Sequence, residues 1–390
     1  LPSQQRNKVK RDKIETMSKR EETRAPFSAD IVGSFLRPEE LKTARAKYAN
    51  GEIGDAELKA VEDRLIKELI EKQIASGLHV ITDGEYRRSY WHLDFMWGLQ
   101  GIEHIELEHG YFFHGEETTK GSIKLVGEIS GENHPFVEHF KYVKQFERPG
   151  VVARQTIPAP AQTLAELFRG DNAKQTESIY PNFDELVEDL AAAYRTVIRD
   201  LYEAGCRNIQ FDDCTWGMIV DEDYWKAKMG DGATIESEAK KYLHVNNLAL
   251  EGRPADLAIN THVCRGNYHS TYACKGGYDA IAPYLFAHEN VDAFYLEFDD
   301  ERSGSFEPLK YIPADKKVVL GLITTKRAEL ENEQTIIDRI KEAEQYIPAE
   351  RLCLSPQCGF ASCEIGNKLT EDEQWKKIAL VQKIAATVFE

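Results

Sequence analysis

From Asp30 onward, short runs rich in β-branched and aromatic residues alternate with helical stretches, and few folds accommodate that alternation in one long chain. The runs are Asp30–Phe35, His79–Glu85, Val151–Pro160, Asn208–Asp213, Asp256–Cys264, Ala293–Asp299, Lys316–Thr324 and Arg351–Cys358. Helices are expected over Asp55–Ser76, Phe183–Ala204, Glu333–Tyr346 and Thr370–Val388. The first carries Glu and Lys at i,i+4 with Leu and Ile along one side, and the last opens on a Thr370-x-x-Glu373 capping box. Eight strands alternating with helices predict an α/β fold, a (β/α)8 TIM barrel with insertions. An open doubly wound sheet is the competing arrangement, but no glycine-rich phosphate loop follows the first run.

Two connections exceed ordinary loop length. Residues 86–149, after the second run, form an insertion rich in aromatics (Tyr90, Trp91, Phe95, Trp97, Tyr111, Phe112, Phe113), with a hairpin expected over 110–130. Residues 214–235, after the fourth run, form a long loop carrying Trp216, Tyr224 and Trp225. Both follow strand C-terminal ends, so each is expected to serve as a lid or an oligomer contact. Residues 1–27 read as a disordered basic leader, with Met17 as an alternative start, which leaves 28–390 as the barrel.

Lys and Arg total 49 against 66 Asp and Glu, a net charge of −17. That balance speaks against nucleic acid or an anionic membrane as partner. No run approaches the roughly 18 apolar residues of a membrane span, and no signal-peptide pattern is seen. The Cys count, 7, is odd and the residues are scattered, which suits reduced thiols in a cytoplasmic protein, some of them available to a metal.

In such a barrel the active site is assembled at the C-terminal ends of the strands. Ser34 ends the first run, Asp83 and Glu85 the second, Asp212 and Asp213 the fourth, and His262 and Cys264 the fifth. Glu297 lies at the end of the sixth, Thr324-Thr325-Lys326 at the seventh, and Cys358 closes the eighth. Period-2 geometry puts His262 and Cys264 on one face of their strand. Alone, a His-x-Cys pair is an ordinary core feature, and Glu297 could be a paired structural carboxylate. Together, one imidazole, two thiols and a carboxylate at neighbouring strand ends favour Zn2+ over Mg2+ or Ca2+. With two thiolate ligands such a zinc activates water poorly. It suits exchange of its weakest ligand, Glu297, for an incoming thiol.

The stretches "IVGSFLRP", "DGE", "IQFDD", "INTHVC", "YLEFD" and "LSPQCGF" occur in that order. In order and spacing they resemble the catalytic barrel of cobalamin-independent methionine synthase, over residues 28–390, as in its short stand-alone members. The amino-terminal barrel of the full-length enzyme finds no counterpart in these residues. The resemblance implies that His262, Cys264, Glu297 and Cys358 bind catalytic zinc. It also implies that Ser34 holds the amino-acid carboxylate while Glu85 and Asp212 bind its ammonium group.

Two positions depart from that family. Lys326 stands where the family has a His that helps protonate the leaving pterin, which makes it the candidate catalytic residue. Glu166 stands where the family has a Trp that stacks on the folate. Trp216, Trp225 or the aromatics of 86–113 are the replacement stacking surfaces to look for. The expected activity is zinc-dependent methyl transfer to the thiol of homocysteine, giving methionine. Its donor is 5-methyltetrahydrofolate (mono- or polyglutamate), a corrinoid protein partner, or another activated methyl compound. Competing readings are alkyl transfer to a different thiol, a metal-free decarboxylase-like barrel, and a non-catalytic thiol- or zinc-binding module.

Overall fold

The structure, a computed structural model, describes residues 23–224 and 232–389. Its strands are β1 (Val80–Ile81), β2 (Gln100–Glu106), β3 (Phe112–Phe113), β4 (Glu116–Glu117), β5 (Gly121–Ser130), β6 (Val152–Ala153), β7 (Gln155–Pro158), β8 (Asn208–Asp213), β9 (Ala258–Val263), β10 (Ala293–Glu297), β11 (Lys317–Ile323) and β12 (Leu352–Pro356). Strands β7 to β12 form one parallel sheet in chain order, and β1 pairs with β6, which leads through Arg154 into β7. The register sets Asp213 beside Val263 and Tyr295 beside His262.

The first predicted strand is replaced by a segment held at single points. Ala29 bridges Leu354, Asp30 N–H donates to the Leu354 carbonyl at 2.9 Å, and Phe35 N–H donates to that of Gly84 at 3.1 Å. Asp30 explains the irregularity, because its carboxylate takes the N–H groups of Phe27 and Ile31 that a ladder would use. The second strand is only two residues long, since Gly84 and Glu85 both turn left-handed at φ 67° and 63°. The eight segments nevertheless run round in the predicted order as a (β/α)8 barrel.

The predicted helices appear at Asp55–Ala75, Phe183–Glu203, Glu333–Ala343 and Glu371–Phe389. The capping box forms as expected: Thr370 N–H donates to Glu373 at 2.8 Å, and Glu373 N–H donates to Thr370 Oγ1 at 3.2 Å. Leu186, Leu190, Tyr194, Val197 and Leu201 make the buried stripe of the 183–203 helix. None of the described helices is long and apolar enough to cross a membrane.

The insertion corrects one expectation. Within 110–130 only β3 and β4 pair with each other, whereas the long strand β5 runs antiparallel to β2, with Ile102 opposite Leu125. Burial of Ile123, Leu125 and Ile129 selects that longer partner. Of the expected leader, residues 1–22 lie outside the described residues, as does Trp225. Residues 23–27 pack at the barrel floor, where Ala25 N–H donates to Asn208 Oδ1 at 2.8 Å. Inside the barrel, below its mouth, Arg154 donates to Asp30 at 2.9 Å and to the Tyr295 hydroxyl at 3.1 Å, all three buried.

Candidate functional site

Three of the four predicted metal ligands converge. The ligand atoms of His262, Cys264 and Cys358 all lie within 4.8 Å of one another, and all three residues are buried. His262 sits on β9, Cys264 just past its end, and Cys358 two residues past β12. Neither ring nitrogen of His262 has a hydrogen-bond partner, so the two sulfurs are its polar surroundings. A buried imidazole left without partners is costly in a purely structural role. Beside two thiols it is the donor set that zinc takes, so these residues fit the ion.

The thiol of Cys264 is held well below the usual range by hydrogen bonds from Cys214 and Cys358, against burial, with His262 helping. His262 is pushed up by Cys264, Asp212 and Glu297, although burial opposes it. The two shifts favour a thiolate at Cys264 paired with a protonated His262. Cys214 was not among the predicted site residues, yet its Sγ is 3.2 Å from that of Cys264. Its position directly after β8 and beside the β9 end was the available signal.

Glu297 is fully buried at the end of β10, but it is not one of the three clustered residues. Its carboxylate accepts the N–H of Arg265 at 2.8 Å and an N–H of Arg302 at 3.2 Å. Lys326 lies behind it, 3.5 Å from Asp299 and 3.9 Å from Glu297, and does not line the cavity in front of the sulfurs. Its ammonium group neutralises two buried acids.

One cavity joins the candidate metal set to the predicted amino-acid residues Ser34, Glu85 and Asp212. Ser34 is gripped by the loop after β12: its Oγ accepts Ala361 N–H at 3.3 Å, and a Cβ on Gly359 would fall 1.8 Å from that oxygen. Glu85 is 3% exposed and held in a left-handed conformation that a non-glycine residue rarely adopts. One of its oxygens accepts from Thr156 at 2.9 Å and the other has no partner. Burial raises its pKa against the pull of Arg88 and Arg37. Asp212 is pushed up to about 7, chiefly by burial, with His262 opposing and Glu85 adding. Two buried carboxylates lining one cavity, the first raising the second, favour a cation beside them.

The insertion supplies the opposite wall through Tyr90, Trp91, His92, Tyr111 and Phe113. His92 went unnoticed in the sequence. It is 1% exposed, stands 4.4 Å from the Trp91 ring, has no hydrogen-bond partner, and is kept neutral by burial. Trp216, one of the expected stacking residues, is fully buried against Tyr242 and does not reach the cavity. Glu166 is also fully buried. It accepts from Ser122 at 2.5 Å, from Arg169 at 3.0 Å and from the Tyr111 hydroxyl.

The family model for the cobalamin-independent synthase catalytic domain matches residues 27–371. The chain belongs to that family. Relatives of this cobalamin-independent synthase domain include the uncharacterized protein YxjG of Bacillus subtilis, 42% identical over 93% of this chain and 95% of its own. Methionine synthase of Saccharolobus solfataricus is 23% identical over 85% of this chain and 87% of its own. Among solved structures, a candidate vitamin-B12-independent methionine synthase from Listeria monocytogenes is 37% identical. It superposes with a TM-score of 0.74 over 94% of this chain and 99% of its own. A B12-independent methionine synthase from Shewanella sp. W3-18-1, solved with selenomethionine, is 18% identical and shares the fold at a TM-score of 0.70, over 94% of this chain and 98% of its own. The chain is a methyltransferase of the cobalamin-independent synthase family.

Proposed function

We propose that the protein moves a methyl group onto the thiol of homocysteine to give methionine, with Zn2+ held by His262, Cys264 and Cys358. The observation that carries this reading is the partnerless His262 beside two sulfurs, in a cavity that Glu85 and Asp212 also line. Bound there, zinc would lower the pKa of an incoming thiol and make a thiolate available at neutral pH. Glu297, now paired with Arg302, would be the exchangeable fourth ligand when the ion is bound.

The other residues bind and orient. Glu85 and Asp212, both lining the cavity, receive the ammonium group. Ser34, with the N–H groups of the loop after β12, receives the carboxylate. The thiol end of the amino acid then points at the sulfurs, and aromatic walls exclude water around the reacting carbon. Most of the rate enhancement comes from this positioning and from preorganised charge.

For the donor we assign 5-methyltetrahydrofolate, mono- or polyglutamate. A second cleft shares Tyr111, Gln162, Met218 and Tyr224 with the first. It adds Phe112 and Phe168 for an aromatic ring, and Arg169 and Lys241 for a carboxylate tail. Lys326 has the role of holding Glu297 and Asp299 rather than of protonating the donor. The free thiols suit a reducing, cytoplasmic setting. Cobalamin independence of the family weighs against a corrinoid partner.

The test is to measure zinc in freshly purified protein and then score methionine from homocysteine with 5-methyltetrahydrofolate. One zinc per chain and methionine formation are expected. A zinc-free protein that still turns over would sink the metal assignment. Zinc-loaded protein that binds homocysteine but forms no methionine would sink the donor.

A further inference from the structure

Cys214 has no part in the reading above, yet its Sγ lies 3.2 Å from the Sγ of Cys264. We propose that Cys214 and Cys264 are a modification site, closing to a disulfide under a peroxide oxidant and removing Cys264 from the metal set. The β8–β9 ladder pairs Asp213 with Val263, so the next residues, Cys214 and Cys264, are neighbours where the ladder ends. Adjacent strands run about 4.8 Å apart, inside the Cα separation of roughly 4.4–6.8 Å that a disulfide spans. The turn after β8 is pressed onto this strand end. A Cβ on Gly217 would lie 2.0 Å from the Cys264 carbonyl oxygen, a contact only glycine permits. Both thiols line the same cavity, which gives a small oxidant a route to them.

Cys358 also approaches Cys264, but closing that pair would consume two members of the metal set. Of these two neighbours of Cys264, Cys214 is the sulfur outside the candidate metal set. The chemistry balances with hydrogen peroxide as oxidant. One thiolate attacks a peroxide oxygen, the O–O bond breaks, and the sulfur becomes a sulfenic acid as hydroxide leaves. The second sulfur then attacks the sulfenic sulfur, forming S–S and breaking S–O. That oxygen departs with the second thiol's proton, so two thiols and one peroxide give one disulfide and two waters. Closure of the pair does not depend on the metal. Its consequence, metal release, rests on the zinc reading proposed above.

The experiment treats the full chain with hydrogen peroxide, both as purified and after chelator treatment. Linked peptides are mapped without reduction, and released zinc is followed with a chromogenic chelator. A peptide joining Cys214 to Cys264 is expected in both samples, with zinc released as it forms and rebound after dithiothreitol. Cys214→Ser is expected to lose the linkage and the reversible phase of zinc release, while its circular dichroism and zinc content before oxidation match the parent. Absence of the linkage from both samples, or a Cys264–Cys358 linkage in its place, overturns the proposal. Linkage with zinc retained overturns the release. Protein that carries no zinc at the outset counts against the metal reading alone, because the linkage is still read on that sample.

Discussion

The hydroxyl of Tyr111, in the insertion, donates to the buried carboxylate of Glu166, in the helix that follows β7. Ser122 and Arg169 complete the set, so one side chain ties β5, the Tyr111 loop and the barrel helix together. Where the resemblance led to the expectation of a stacking Trp, Glu166 fastens the cavity wall.

Glu166→Ala should therefore act on stability. It leaves Arg169 and two hydroxyls without their acceptor, and breaking such a buried pair costs about 3–5 kcal/mol. Guanidinium denaturation reads the loss, and limited proteolysis within 107–121 should quicken. A change below about 1 kcal/mol would mean that the lock contributes little.

Glu85→Gln and Asp212→Asn should each weaken methionine binding roughly tenfold to a hundredfold. That is the worth of one charged hydrogen bond, about 1.5–3 kcal/mol. Bound zinc should stay unchanged, and calorimetry with metal analysis on the same samples separates the two effects. Unaltered affinity in both variants would remove these carboxylates from the amino-acid site.

The same site carries a pH signature. Burial pushes Asp212 up to about 7, with His262 opposing and Glu85 adding. Only the carboxylate form pairs with an ammonium group, so affinity should fall below pH 7 by about tenfold per unit. Asp212→Asn should flatten that slope. A binding constant level from about pH 5 to 8 in the parent protein would contradict the assignment.

His134 predicts acid sensitivity. Its Nε2 lies 2.8 Å from the Phe95 carbonyl and its Nδ1 accepts Phe136 N–H at 3.1 Å, so no site remains for a second proton. Burial lowers its pKa from 6.5 to about 4, with the Phe95 carbonyl opposing and Arg88 assisting. Between those values the unfolded chain binds a proton that the folded protein refuses. Stability is therefore full above pH 6.5 and falls as pH drops toward 4, by about 3 kcal/mol. Denaturation midpoints of the parent and His134→Gln across that window should converge at acid pH; parallel curves would rule His134 out as the cause.

Metal affinity should rank the ligands. His262→Asn and Cys358→Ser are expected to lose zinc almost completely. Glu297→Gln should weaken it by ~10–100-fold, the range for a residue that supports a site without being a permanent ligand. Loss in Glu297→Gln as deep as in His262→Asn would make the carboxylate a full ligand.

Much of this was legible beforehand for local reasons. Capping at Thr370 and Glu373, apolar periodicity in 183–203, and β-rich runs at barrel spacing are decided by residues a few positions apart. Period 2 alone put His262 and Cys264 on one face, and strand-end placement identified Cys358. The chain by itself determined the order of the barrel segments and marked these three residues as candidate ligands. Only the tertiary structure decided that Glu297 turns to Arg265 and Arg302, that Lys326 serves two acids, and that Glu166 fastens the insertion. It likewise decided that Cys214 meets Cys264 across a ladder end. A buried polar side chain must find a partner, and the partners that packing offers come from segments far away in the chain.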